Sequence, residues 1–490
     1  MRLQDVHDLC RAIDADGLLP SHYAAYKPLL TEGLAFFLQR LSPNRQNAIL
    51  TEQAALPAEA SAAARLVGLM QACPTLHKLG QVVARHRHLE ADLRSRLQVL
   101  ESMSADGDWG LVWPVLEREL AEPIANSDIR LEQRALAQAS VAVVVPASVR
   151  GEGGRPIAAV AKVLRSGVAE MLRDELDVLR DLATFLDHRA ADHGLPKLDY
   201  RETFDTVVDL LAHEVRLDQE QAHLAEAKRW FAGVRDVVVP EVLPGSTPRV
   251  TVMTRVEGVK VTEVGDLAPR KRKALAETII DALIARSALN AGDGGLFHAD
   301  PHAGNLLRTP DGRLGVLDWA LVGRLNKPTL VKISQLVMGA LTLDVPRCAD
   351  AVVGLTGGTA RLEAVRHGLH GALGAIRRGG LPGPTWLIGL LDDLVLAGCR
   401  FSADLVLLRK SLLTLDGVVR DVSPEVSLDA VLVAAAAKAF AAEWPRRATA
   451  LPYSRDFATH LSNADLLQFS AAGPMTMTNF WMQTWRDWLG

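Results

Sequence analysis

Apolar residues recur at three-and-four spacing in YKPLLTEGLAFFLQRL and again in RLVGLMQACPTLHKLGQVVARH. That is the period of helices with one buried face, so residues 1–130 read as helical. Near residue 140 the texture changes. SVAVVVPASV is a β-branched run, RGEGGRP a turn cluster and IAAVAKVL a second apolar run, which together predict a hairpin. The helical period returns from Glu170 to Phe231. VVVPEVLPG and PRVTVMTRVEG then read as strands, and after Thr262 the chain is mostly helical. The expected order is a helical head over 1–130, a small α+β lobe over 131–260, a larger helical lobe over 261–440 and a tail over 441–490. No repeat of 20–50 residues interrupts it.

Composition narrows the class without naming a chemistry. The chain has 490 residues, 49% apolar and 23% charged, ordinary for a globular protein of more than one domain. A net charge of -4 supplies no basic field for nucleic acid. Cys10, Cys73, Cys348 and Cys399 form no CxxC pair, which argues against a disulfide framework or a zinc site and suits a reducing cytoplasm. The first residues lack an apolar signal core. LDAVLVAAAAKAFAAEW is broken by Lys438 and falls short of the roughly 20 apolar residues of a membrane span. Any membrane contact is therefore expected to be peripheral.

The chemistry concentrates in GLFHADPHAGNLLRTPDGRLGVLDWALVG, residues 295–323. Asp300 is followed by four residues and Asn305, and Asp318 comes thirteen residues later after the apolar run LGVL. Protein kinases space a catalytic Asp, an Asn and a metal-binding Asp in this way. The first Asp orients an attacking hydroxyl or water. The Asn carbonyl and the second carboxylate are hard oxygen ligands for Mg2+. TPDGR is the turn that returns Asp318 toward Asn305. Upstream, VAKV places Lys162 inside an apolar run, where a charge is costly unless paired. No GxGxxG precedes the hairpin. Read from the residues alone, the partner of Lys162 is Glu175, on the first helix after its strand.

In order, the chain also contains PTLHKLGQ, AQASVA, VAKV, HEVRLDQEQAHL, VTVMTRVEG, FHADPHAGNLL, VLDWALVG and LRKSLLTLDGVVRDVSPE. This series resembles the UbiB (AarF) family of atypical kinases, whose phosphate loop is alanine-rich and whose helical head carries a KxGQ signature. The resemblance implies a bilobal α+β protein-kinase-like fold with a helical N-terminal extension and a mostly helical C-lobe. It implies Mg2+ and ATP as cofactors, with phosphates near Ala137, Ala139, Ser140, Val141 and Ala142, and adenine near Met253, Arg255 and Val256. Lys162, Asp300, Asn305 and Asp318 match the family's motifs position for position. Glu220 takes the helix-glutamate position, which leaves Glu175 as an expected surface residue among the charges of RDELDVLRD. Glu214 opens the ExD motif, and Lys78 and Gln81 belong to KxGQ.

Several positions depart from the family pattern. Arg216 replaces the ExD aspartate, His223 replaces an Asn, Gln138 interrupts the alanine run, and Asp318-Trp319-Ala320 replaces DFG. The membrane helices at the C-terminus of some members are missing. DW followed by Ala also resembles aminoglycoside-phosphotransferase-like enzymes. His77, His86 and His88 are expected on a solvated face, and a metal cluster of His298, His302 and Asp300 is disfavoured. The implied function is an Mg2+-dependent ATPase or atypical kinase in the cytoplasm or at the periphery of the inner membrane. It would support isoprenoid-quinone or related lipid metabolism, with a lipid or quinone intermediate as ligand and a homodimer or biosynthetic complex as assembly. A small-molecule phosphotransferase and a nucleotide-binding pseudokinase scaffold are the alternatives.

Overall fold

A computed structural model describes residues 9–10, 13, 25–77, 109–126, 128–138, 141–195 and 215–470. The chain forms two compact units: Met1–Ala225 with Pro240–Arg255, and Glu226–Val239 with Val256–Gly490.

In the first unit, helices α1 (Lys27–Arg40), α2 (Pro43–Ala55) and α3 (Ala62–Ala72) follow the periodicity of the head. Ser61 caps α3 by accepting the Ala64 N–H, which satisfies one of the orphan donors of a helix start. Phe37, Leu38, Ile49 and Leu69 are fully buried. Two short helices follow, α4 (Trp113–Glu119) and α5 (Ala121–Ala125). A strand begins slightly earlier than the helical reading allows, at β1 (Ile129–Leu131). Then come β2 (Ala137–Gln138), β3 (Ala142–Arg150), β4 (Pro156–Leu164), α6 (Val168–Asp192) and α7 (Leu217–Trp230), whose last turn belongs to the second unit. The hairpin turn between β3 and β4 uses Gly153 and Gly154 at φ of 72° and 76°, a region that favours glycine.

The next strands are β5 (Val237–Val238), β6 (Val250–Thr254) and β7 (Val259–Lys260). VVVPEVLPG forms less strand than expected, because Pro240 and Pro244 have no N–H for a ladder. Beyond Val238 it contributes only an isolated bridge from Val242 to Met253. The main sheet runs β1-β3-β4-β6, with β2 on β3, all antiparallel. Val143, Val145, Ala161, Val163 and Val252 build its core with Val115 and Leu116 of α4.

Leu172, Leu176, Leu179, Leu182 and Leu186 form the apolar stripe of α6, which packs on the head helices. Glu175 lies in this stripe. It is fully buried, not at the surface as expected. Its Oε1 accepts from Arg45 at 2.9 Å, and its Oε2 accepts from the Thr75 N–H at 3.0 Å and the Thr75 hydroxyl at 2.6 Å. Burial pushes the carboxyl above its usual range, and the bonds from Thr75 and Arg45 pull it back. The physical reason for the correction is helical phase. Position 175 is three residues from Leu172 and four from Leu179, so it faces the core. His77, expected on a solvated face, is also buried at 2% exposure, while His86 and His88 lie outside the described residues.

The second unit continues with α8 (Pro269–Ile280), a π-helical segment Asp281–Ala285, then β8 (Gly294–His298), β9 (Leu306–Arg308), β10 (Leu314–Val316) and β11 (Val322–Asn326). Helices α9 (Lys327–Leu341), α10 (Val345–Leu355), α11 (Leu362–Arg377), α12 (Pro384–Leu396), α13 (Ala403–Val422) and α14 (Leu428–Arg447) complete it. One sheet runs β5-β10-β9-β7, and β8 pairs antiparallel with β11. At that pairing only glycine fits at 323, where a Cβ would lie 2.0 Å from the Phe297 ring. Among the described residues no helix is long and apolar enough to cross a membrane.

The Glu175 hub makes a stability prediction. Glu175→Ala strands the Arg45 guanidinium and the Thr75 donors, and should lower unfolding free energy by about 3 kcal/mol. Urea denaturation measures this. A change within about 0.5 kcal/mol, the size usual at a surface site, would show that the buried carboxylate holds nothing.

Candidate functional site

Each unit carries part of the expected chemistry. In the first, strand alternation turns Lys162 to the face opposite the Val143 and Val163 core. It stands between Val144 and Thr251 in register. Lys162 is 9% exposed and Glu220 3%. The Lys162 ammonium donates to both Glu220 oxygens, at 2.7 and 2.8 Å. Glu220 sits in the first turn of α7, where a negative charge also meets the positive end of the helix. Next to it, Gln221 donates to the Thr247 carbonyl at 2.8 Å and the Thr251 hydroxyl at 3.0 Å, which fastens α7 to β6. Arg216, the replacement in ExD, is exposed and bound to Asp218 at 2.8 and 2.9 Å. That guanidinium holds the Asp218 carboxyl below its ordinary range. The added cation is thus matched within its own turn.

The other expected residues fall as follows. Ala137 is exposed on β2, while Val141 and Ala142 are buried against Leu164, Val168 and Leu217. A phosphate there would meet backbone rather than these side chains. Met253 lies on β6 opposite Val160, and the Arg255 N–H donates to the Ala158 carbonyl at 3.0 Å. Val256 belongs to the second unit, beside Gly315. Lys78, Gln81, Ala139, Ser140 and Glu214 lie outside the described residues.

In the second unit the segment 298–320 is bound to itself at every turn. The Asn305 amide donates to the Asp300 carbonyl at 3.1 Å, and the Leu317 N–H donates to the Asn305 carbonyl at 2.9 Å. The Ala320 N–H donates to Asp318 Oδ1 at 2.9 Å. Thr309 and Asp311 close the TPDGR turn with Gly312 at φ 85°. Ala320 does not adopt a left-handed backbone, so alanine is accommodated where DFG has glycine. Trp319 is buried, donates its indole N–H to the Val316 carbonyl at 3.2 Å, and packs on His298 and Phe231.

His298 ties these pieces together. Its Nδ1 accepts the Asp300 N–H at 3.1 Å. The proton therefore belongs on Nε2, which donates to the Asp318 carbonyl. The imidazole is 1% exposed, and burial pulls its pKa down to about 4 from an ordinary 6.5, against Asp300 and Asp318. Both ring nitrogens are thus committed to backbone. His302 Nδ1 accepts the Gly304 N–H at 3.0 Å. Among the described residues no group of three or more His, Cys, Asp or Glu side chains could hold a metal. The residues whose chemistry could hold an ion are Asn305 and Asp318, an amide carbonyl and a carboxylate on segments joined by the Leu317 N–H to Asn305 carbonyl bond. These are hard oxygens suited to Mg2+, which usually takes one or two protein ligands and completes its shell with water and phosphate.

Two neighbours of Asp300 went unassigned in the sequence. From α13, Lys410 approaches Asp300 Oδ1 at 3.3 Å, and the Ser411 hydroxyl donates to the His298 carbonyl at 2.8 Å. Their signal was a lysine–serine pair inside the leucine run LVLLRKSLL.

The fold is α+β and kinase-like. Residues 101–352 match the family model described as ABC1 atypical kinase-like domain, and the chain belongs to that family. Among curated relatives, "Probable protein kinase UbiB" of Xanthomonas campestris pv. campestris (strain 8004) is 26% identical over 400 residues, covering 77% of this chain and 70% of its own. The protein of the same name from Xanthomonas oryzae pv. oryzae (strain MAFF 311018) is 27% identical over 394 residues, covering 76% and 69%. A solved structure of Rv3197 with erythromycin, from Mycobacterium tuberculosis, is similar over 83% of this chain and 96% of its own, with 16% identity and a TM-score of 0.46.

The depressed His298 pKa makes a pH prediction. Between pH 6.5 and about 4 the unfolded chain binds a proton at His298 that the folded chain refuses. Stability from this residue is full above 6.5 and is lost as pH falls toward 4, by up to about 3 kcal/mol. Urea unfolding across this range should show a slope for the parent that is shallower by about one proton in His298→Gln. Equal slopes would place the tie elsewhere.

Proposed function

We propose that this protein is an Mg2+-dependent, ATP-binding atypical kinase or ATPase of the UbiB type. The observation that carries the reading is the loop in which one neutral imidazole ties the Asp300 and Asp318 backbones together while the Asn305 amide donates to the Asp300 carbonyl. Asn305 and Asp318 would hold Mg2+, which when bound supplies positive charge to the nucleotide phosphates. Lys162, fixed by Glu220, binds phosphate oxygens. Asp300 orients the attacking hydroxyl or water and accepts its proton, and Lys410 steadies its carboxylate. Backbone of the Ala137–Ala142 loop and the strand around Met253 and Arg255 complete the nucleotide contacts, with Lys78, Gln81 and Glu214 as the KxGQ and ExD contributors.

The resemblance to the UbiB family and the names of the relatives support a role in isoprenoid-quinone or related lipid metabolism. The retained Asp300, with a lysine beside it, favours an enzyme over a pseudokinase scaffold.

Asp318→Asn should nearly abolish the thermal shift that Mg-ATP gives the parent, while the shift with Mg2+-free ATP changes little. An equal Mg-ATP shift in both proteins would remove Asp318 from the metal site.

A second test separates the two glutamates. Glu220→Gln leaves the Lys162 charge poorly matched and should cut ATP turnover by at least about tenfold, roughly 1.4 kcal/mol. Glu175→Gln should act on stability instead. Turnover that falls for Glu175→Gln and not for Glu220→Gln would reassign the phosphate lysine's partner.

A further inference from the structure

On the kinase or ATPase reading above, on which this rests, we propose that Lys410 of α13 is a catalytic residue whose ammonium binds the phosphoryl group in transit beside Asp300. In phosphoryl transfer, charge is carried on the oxygens of the moving group, and Lys, Arg or Mg2+ supplies the opposite charge. The loop around Asp300 has no lysine or arginine to spare. Residues 301–304 are Pro, His, Ala and Gly. The two arginines of the stretch 295–323 are used locally. Arg308 donates to both Asp266 oxygens, at 2.9 and 3.0 Å, and Arg313 donates to Asp311 at 2.7 Å. A basic side chain for the group that Asp300 serves has to come from elsewhere in the chain.

Helix α13 supplies it. Ser411 is fully buried and its hydroxyl donates to the His298 carbonyl at 2.8 Å, which fixes this turn of the helix against the loop. The adjacent Lys410 approaches Asp300 Oδ1 at 3.3 Å. That is an ion pair, but a looser one than the about 2.7–2.9 Å of a charge-assisted hydrogen bond. Lys162, by contrast, meets Glu220 at 2.7 and 2.8 Å. The Lys410 side chain also keeps 29% of its surface exposed, against 11% for Lys162. Its helical neighbours at three and four positions, Val406, Leu407, Leu413 and Thr414, bring no carboxylate to hold it. The next basic residue, Arg409, is paired with Asp392 of α12 instead. Lys410 is thus the cation of this turn whose charge can take a new partner without leaving Asp300.

The chemistry asks for a cation at this place. An acceptor oxygen bonded to Asp300 lies about 3 Å from its carboxylate, and the atom it attacks lies about 3–3.5 Å further on. An ammonium with three donors on a flexible four-carbon stem can span that distance while one donor stays on Asp300. The acceptor oxygen forms a bond to the γ-phosphorus of a nucleoside triphosphate. The bond from that phosphorus to the bridging oxygen breaks, and its electron pair leaves with the diphosphate. Asp300 takes the acceptor's proton. Lys410 neutralises the non-bridging oxygens throughout and gives up no proton.

The test uses the full chain, Mg-ATP, and water as acceptor. Lys410→Met keeps the stem and removes the charge. It should lower kcat by at least about a hundredfold, roughly 2.7 kcal/mol, with the KM for Mg-ATP within about threefold of the parent and the melting temperature held. Lys410→Arg should recover at least about tenfold of the loss, and Arg409→Met should leave kcat unchanged. Sulfur in place of a non-bridging γ-oxygen weakens a contact to an ammonium. The parent's preference for ATP over ATPγS should therefore shrink by at least about fivefold in Lys410→Met, the scale of one hydrogen bond. Lys410→Gln is read in the same way if Lys410→Met does not fold. A kcat within about twofold of the parent overturns the proposal. So does a lowered kcat with an unchanged ratio of ATP to ATPγS rates, which would make Lys410 a residue acting through Asp300 alone. A parent without turnover overturns the kinase or ATPase reading itself, and this proposal with it.

Discussion

A charge taken out of water must be met at short range, and the first unit is arranged around that requirement. Lys162 stands within an antiparallel strand whose neighbours are valine and alanine, so a partner has to be brought to it. Glu220 meets it from the first turn of α7, and the adjacent Gln221 fastens that turn to β6. The strand, the helix start and the next strand are thereby specified together. The same rule operates on α6, where Glu175 is buried and Arg45 and Thr75 meet it. A buried ion pair is weak evidence for net stability, because desolvation offsets its attraction. Its effect is on geometry: either partner left alone is strongly unfavourable, so alternative packings that separate them are disfavoured.

In the second unit the corresponding constraint is neutral. His298 uses both ring nitrogens on backbone groups, one at Asp300 and one at Asp318. A charged imidazolium could not accept the Asp300 N–H, so burial and function of the ring agree. Trp319 supports the ring from the side, and Ser411 holds the carbonyl of the same residue. The loop that presents Asp300 and Asn305 is short and irregular, yet most of its positions are set by a neighbour that is itself fixed.

Much of this was legible in the sequence, for identifiable reasons. The β3–β4 hairpin announced itself by two β-branched runs around a glycine turn, and the Asp300, Asn305 and Asp318 spacing by residue types that have few other uses together. Lys162 was visible as a charge in an apolar run. Its partner was not visible from the residues alone, which pointed to Glu175 on the first helix after the strand; the family resemblance pointed to Glu220, and the structure pairs Lys162 with Glu220. Glu175 was misread as a surface residue because Arg173, Asp174 and Asp177 surround it in sequence. Its three-and-four spacing to Leu172 and Leu179 was the better guide. Lys410 lies more than one hundred residues from Asp300, and no local pattern connects them. The strand reading of VVVPEVLPG gave too much weight to valine and too little to the missing N–H groups of Pro240 and Pro244.

Helix α13 has two working edges. Lys410 and Ser411 reach Asp300 and His298, while Leu408 and Leu412 form part of an apolar cavity among the C-terminal helices. One rigid rod therefore belongs to two environments, one polar and one oily. Thermodynamic linkage makes any influence between them reciprocal. If filling the cavity changes the free energy of a ligand at the Asp300 loop, that ligand changes the cavity's affinity by the same factor.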